Sequence, residues 1–174
     1  MRRWMVGLAL AAVVDCSAAS MAAIAAPART AETERFAQGH PAEIVRHAAG
    51  LLKSGRQDEA VFWFYVGQLR YRVFLAARPN EPKSGDPALF SSLMEVIGRP
   101  VNEYAFGDIS ALAVTLNEVL AWDDAHDDRL TPKGRYAAER GRVRAGLADM
   151  RDEVLRTADD IRAQRLKNGL RNRS

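Results

Sequence analysis

The chain has 174 residues, 48% hydrophobic and 27% charged, an ordinary globular balance and too little for two large domains. Its formal net charge of +3 is too small to point to nucleic acid as a partner. The charges are unevenly placed. Between Asp86 and Asp128 nine acidic residues accompany one basic residue, Arg99, whereas Ile161 to Ser174 holds five basic residues and no acidic one. The pattern predicts an acidic middle and, at residues 167–174, a basic C-terminal tail.

In chain order, Arg2 and Arg3 precede an apolar run from Trp4 to Val14, too short to span a bilayer, and Ala23-Ile24-Ala25 offers a small-residue cleavage site. Residues 1–25 therefore read as a secretory signal peptide, which predicts a periplasmic or secreted protein with no transmembrane helix in the mature chain. Val13-Val14-Asp15-Cys16 resembles a bacterial lipoprotein box at its first two positions and departs from it at Asp15. A lipid anchor through Cys16 is the alternative. Cleavage after Ala25 removes the only cysteine, so the mature chain, about 150 residues, rests on its core rather than on a disulfide.

Residues 26–39, small and polar, read as a flexible N-terminal arm. Pro41 suits a first helical position, Ile44, Val45, Ala48, Leu51 and Leu52 form a stripe at helical spacing, and Gly55 suits the stop. Asp58 is placed to cap a second helix running to about Ala77, before Pro79. Asp86-Pro87 opens a third, which Gly98 should end, and a short helical turn follows. Asp108 caps a fourth helix, "WDDAHDD" reads as a loop, and Thr131-Pro132 opens a long last helix to about Arg165. In that helix Val143, Leu147, Met150, Val154, Thr157 and Ile161 step alternately by four and three, a heptad-like seam that allows a dimer but by default packs within the chain. No period-two pattern of β-branched residues occurs. The expected fold is all-α: a single-domain bundle of about five helices at residues 40–166, with a long C-terminal helix.

Ala48, Leu51, Gly55, Asp58-Glu59-Ala60, Phe64 and Gly67 sit where a tetratricopeptide or Sel1-like hairpin has its small, apolar and turn positions. The segment from Ala42 to Gly67 resembles one such hairpin, and no second copy follows. The resemblance implies two antiparallel helices and hints at protein–protein contact.

Two polar groups are candidate sites. The second helix carries four consecutive aromatic residues, Phe62 to Tyr65, which about 100° of turn per residue sends four ways. That helix reads as buried by two layers, with Arg70 in one seam between them and Gln68 and Arg72 in the other. The seam arginines read first as structural, snorkelling or pairing with the acidic middle; alternatively Gln68, Arg70 and Arg72 form a binding site, since arginines grip carboxylates in bidentate fashion. The second group is Asp123, Asp124, His126, Asp127 and Asp128, whose donors suit a divalent metal. An EF-hand reading fails, because Arg129 and Arg135 fall where glycine and glutamate are needed; the plainer reading is a solvated loop whose aspartates cap helices.

Nucleophile elbows, phosphate loops, dinucleotide fingerprints and H-E-x-x-H are all missing from the sequence. The expected function is that of an exported, non-catalytic helical protein that binds another protein, for instance an immunity or inhibitor protein or an envelope adaptor. The alternative is a metal-binding or metal-sensing envelope protein using the aspartate group.

Overall fold

The computed structural model describes residues 34–173, which belong to one unit, and every regular element in them is helical. The predicted signal peptide, its Ala25 cleavage site and Cys16 lie outside the described residues. Helix α1 (Pro41–Lys53) is opened by His40, whose ring nitrogen Nδ1 accepts from the Ala42 N–H at 3.2 Å, with Pro41 first in line. It is closed by Gly55 at a φ of 79°, where the Arg56 N–H reaches the Leu51 carbonyl and the Gly55 N–H the Leu52 carbonyl. This left-handed residue turns the chain sharply into α2 (Gln57–Ala76).

Helix α2 is the centre of the domain and packs on α1 and on three later helices, Arg99–Ala105, Ile109–Ala125 and Ala137–Arg156. Thirteen of its 20 residues are buried, so no side of it is predominantly solvated. The four aromatic residues do point apart: Trp63 meets Phe36 and Trp122 at ring separations of 5.1 and 5.5 Å, whereas Tyr65 turns to donate to Asn102 at 3.0 Å. Gly67 is where α1 crosses, since a Cβ there would lie 2.8 Å from Val45 Cγ2. Tyr71 donates to Asp86 at 2.7 Å, and His40 Nε2 lies 3.1 Å from the same oxygen, tying the start of the next helix, Asp86–Leu93, to both hairpin helices.

Several predicted boundaries shift, each for a physical reason. Asp58 does not cap α2; Arg56 holds that position, and the Asp58 carboxylate accepts from Tyr104 at 2.8 Å. Gly98 does not stop the third helix. Helix α3 (Asp86–Leu93) passes through a π-helical turn, Met94–Gly98, into α4 (Arg99–Ala105). Pro100 has no N–H for the Val96 carbonyl and would crowd it, and the wider turn absorbs that conflict. Gly98 instead clears the Phe64 ring, which a Cβ would approach at 3.0 Å.

Asp108 does cap α5 (Ile109–Ala125), accepting from the Ala111 N–H at 2.9 Å. That helix runs on through Asp123 and Asp124, which are not loop residues. Thr131-Pro132 forms a turn, since the Pro132 carbonyl accepts from both Arg135 and Tyr136 and the Thr131 hydroxyl is spent on Asp128. Helix α6 (Ala137–Arg156) begins only after it, and Thr157, at φ −105° and ψ 20°, breaks the predicted long helix before α7 (Ala158–Lys167).

Both ends of the described chain pack. Residues 34–38 are helical and Phe36 is buried, so the last residues of the supposed arm belong to the core. At the other end the Arg173 N–H donates to the Gly107 carbonyl at 2.7 Å and its guanidinium lies 3.4 Å from the Tyr104 ring centre. The basic tail folds back on the α4–α5 junction.

Candidate functional site

On a helix, residues two apart lie about 200° apart and residues four apart share a side. Arg70 therefore leaves α2 on one side, and Gln68 and Arg72 on the other. The structure gives the two sides different neighbours.

Arg70 points inward and is 1% exposed. Its Nη2 donates to the carbonyls of Asp127 at 3.0 Å and His126 at 3.3 Å, and its Nη1 reaches the Phe36 carbonyl at 3.4 Å. The guanidinium stacks 4.6 Å from the Trp122 ring centre. Burial pushes the Arg70 pKa down from its ordinary value, while the nearby Asp128 and Asp123 carboxylates oppose that shift. Arg70 Nε lies 3.8 Å from Asp123 Oδ1, and Asp123 Oδ2 accepts at 2.8 Å from both Arg140 and Arg144 of α6. Three arginines from two helices thus surround one fully buried carboxylate on a third.

The two sequence candidates therefore partly coincide: Arg70 is bound to the aspartate group. The other members of that group are drawn apart. Asp128 is buried and accepts from the Leu130 N–H and the Thr131 hydroxyl, at 2.9 and 2.7 Å. Asp127 is exposed and accepts from the N–H groups of Asp128 and Lys133, bonds that hold its carboxyl below the usual range. Asp124 is exposed and faces Arg144 at 3.7 Å. His126 stacks on Trp122, with its Nδ1 2.6 Å from the Trp122 carbonyl. Among the described residues no set of three His, Cys, Asp or Glu side chains converges as metal ligands. A dication at Asp123 would face three guanidinium groups.

Gln68, half-buried, and Arg72, exposed, open onto a groove of about 540 Å³ between α2, α3 and α6. Leu69, Leu75 and Phe90 line one wall and Val143, Leu147 and Met150 the other. The first half of the heptad-like seam is thus the far wall of a groove, with Leu147 buried and Val143 and Met150 half-buried. The guanidinium of Arg72 lies 5.5 Å from the Phe90 ring centre, and among the described residues it has no carboxylate partner. Across the groove Arg142 is exposed, 3.5 Å from Glu139 one turn back. Arg140, Arg142 and Arg144 were not marked by the sequence, which showed Phe90 only as part of an apolar helical stripe and Gly146 only as a residue that weakens its helix. The local signal for the arginines was their spacing, Arg140 and Arg144 four apart and flanking the apolar residue Val143.

No family model, curated protein or solved structure matches the chain.

Proposed function

We propose that this is an exported, non-catalytic helical protein that binds another protein through the groove between α2, α3 and α6. The carrying observation is the groove itself: an apolar floor with Gln68, Arg72 and Arg142 along its rim. Such a surface offers non-specific apolar contact below and directional, bidentate contact to carboxylates above. The hairpin from Ala42 to Gly67, similar to a tetratricopeptide or Sel1-like unit, supports the same reading, because the resemblance implies protein–protein contact. Residues 1–25, which read as a secretory signal peptide, support an encounter in the periplasm or outside the cell, where an immunity, inhibitor or adaptor protein would act.

A photo-crosslinking residue at Val143, on the groove wall, tests this against one at Val114, an exposed valine on α5. In envelope extract the Val143 probe should yield one stoichiometric adduct with a second protein, and the Val114 probe none. Equal or absent crosslinking at the two positions overturns the proposal.

A further inference from the structure

Glycine is among the least favourable residues in a helix interior, so a mid-helix glycine raises the question of a packing reason. Gly67 has one, since Val45 leaves no room for a Cβ. Gly50 in α1 and Gly141 and Gly146 in α6 have none inside the described chain: a Cβ built at any of the three meets nothing within 4 Å. Of the three only Gly146 lies in the groove lining, so at this point that wall is bare backbone.

Two further features restrict what the groove can receive. The groove floor is apolar, through Leu69, Phe90, Leu147 and Met150. Its rim carries one arginine on each side, Arg72 on α2 and Arg142 on α6, and neither is held by a buried acid among the described residues. An occupant with one apolar face and acidic edges satisfies all of these at once. A single fatty-acid carboxylate would engage one arginine and leave the bared backbone at Gly146 unused.

Resting on the protein-binding reading above, we infer that the groove receives an acidic amphipathic helix of the partner. That helix lies against Gly146, with its apolar face on the groove floor and its carboxylates on Arg72 and Arg142. Helix-in-groove recognition works in this way, with apolar anchors at i, i+3, i+4 and i+7. Close approach of two helix backbones needs a small residue at the crossing, which Gly146 supplies.

The test uses two labelled helix-forming peptides of roughly 16 residues, a little over four turns. One carries leucines at helical spacing flanked by glutamates; its twin replaces every glutamate by lysine. Fluorescence anisotropy with the purified protein should show the acidic peptide binding at least about tenfold more tightly. Gly146→Leu should weaken that binding by about tenfold or more, while the melting temperature stays level or rises. Replacing Arg72 and Arg142 together by alanine should erase the preference for the acidic twin.

Equal affinity for the twins, no binding of either, or binding indifferent to Gly146→Leu overturns the inference. So does oleate binding that the groove variants abolish without any peptide binding, which would mark a lipid site. Dimerisation in sedimentation that Gly146→Leu prevents would overturn it in favour of a second copy of the chain. A Val143 crosslink to a partner combined with equal twin affinities leaves the protein-binding reading standing and removes only the acidic helix.

Discussion

The Asp123 carboxylate, 0% exposed, accepts a 2.8 Å hydrogen bond from Arg140, itself 4% exposed and seventeen residues further along the chain. This pair, extended by the buried Arg70 and the partly exposed Arg144, joins α2, α5 and α6 around a buried carboxylate. Removing one member of a buried ionic group strands the others without their counter-charge, a loss of roughly 3–5 kcal/mol. Asp123→Asn should therefore shift the urea midpoint strongly downward. Asp127→Asn, in the same stretch but exposed, should cost only about 1 kcal/mol through its weakened backbone bonds. Arg70→Ala should behave like Asp123→Asn, so a loss of partner binding on that substitution would report unfolding rather than a contact.

Gly67 and Gly146 should respond to alanine with opposite signs. At Gly67 the new Cβ would lie 2.8 Å from Val45 Cγ2 and 3.0 Å from the Val45 nitrogen, and backbone cannot yield as a flexible side chain can. Gly67→Ala should destabilise by about 1–3 kcal/mol. Gly146→Ala meets open space and gains helix propensity, so it should stabilise by about 0.5–1 kcal/mol. Chemical denaturation of the two variants side by side checks the pair.

Alkaline pH should unfold the protein. The phenols of Tyr65 and Tyr71 have their pKa values raised above the ordinary 10.0, Tyr65 through burial and Tyr71 through burial and its bond to Asp86. The unfolded chain releases those protons near 10.0, whereas the folded chain retains them. Their stabilising contribution is thus complete below that value and is lost as pH rises above it. In a pH titration, part of the phenolate absorbance should appear only together with loss of helical circular dichroism. Tyr65→Phe should reduce that dependence, at a cost of about 1–2 kcal/mol for leaving Asn102 without its donor.

Phe36→Ala should destabilise by about 3–5 kcal/mol. The ring is 1% exposed and packs edge-on against Trp63, and the backbone carbonyl behind it accepts from Arg70. A surface-arm residue would show no such effect, so the unfolding midpoint and the tryptophan emission of this variant decide where the folded unit begins.

The helical class, the main helices and the central place of α2 were legible because they follow from periodicity and end signals, which are local. Pro41, Gly55 and Asp108 mark ends through backbone chemistry that needs no distant partner. The failures share a cause. Asp58, Gly98 and Thr131 all looked like end signals, and each is used by a residue far away or by a competing turn: Tyr104, the Phe64 ring, and Asp128. Phe36 was overlooked because a single aromatic residue in a polar stretch has no period to reveal its burial.

The same division runs through the candidate site. Sequence alone determined that Arg70 leaves α2 opposite to Gln68 and Arg72, because helix geometry fixes angles between residues on one element. It could not determine what each side meets, since that depends on how α3, α5 and α6 pack around α2. Only the tertiary structure decided that Arg70 closes on the buried Asp123 while Gln68 and Arg72 border an open groove. The physical reason is that charge pairing and exposure belong to the space between elements, and no run of residues along one helix encodes that space.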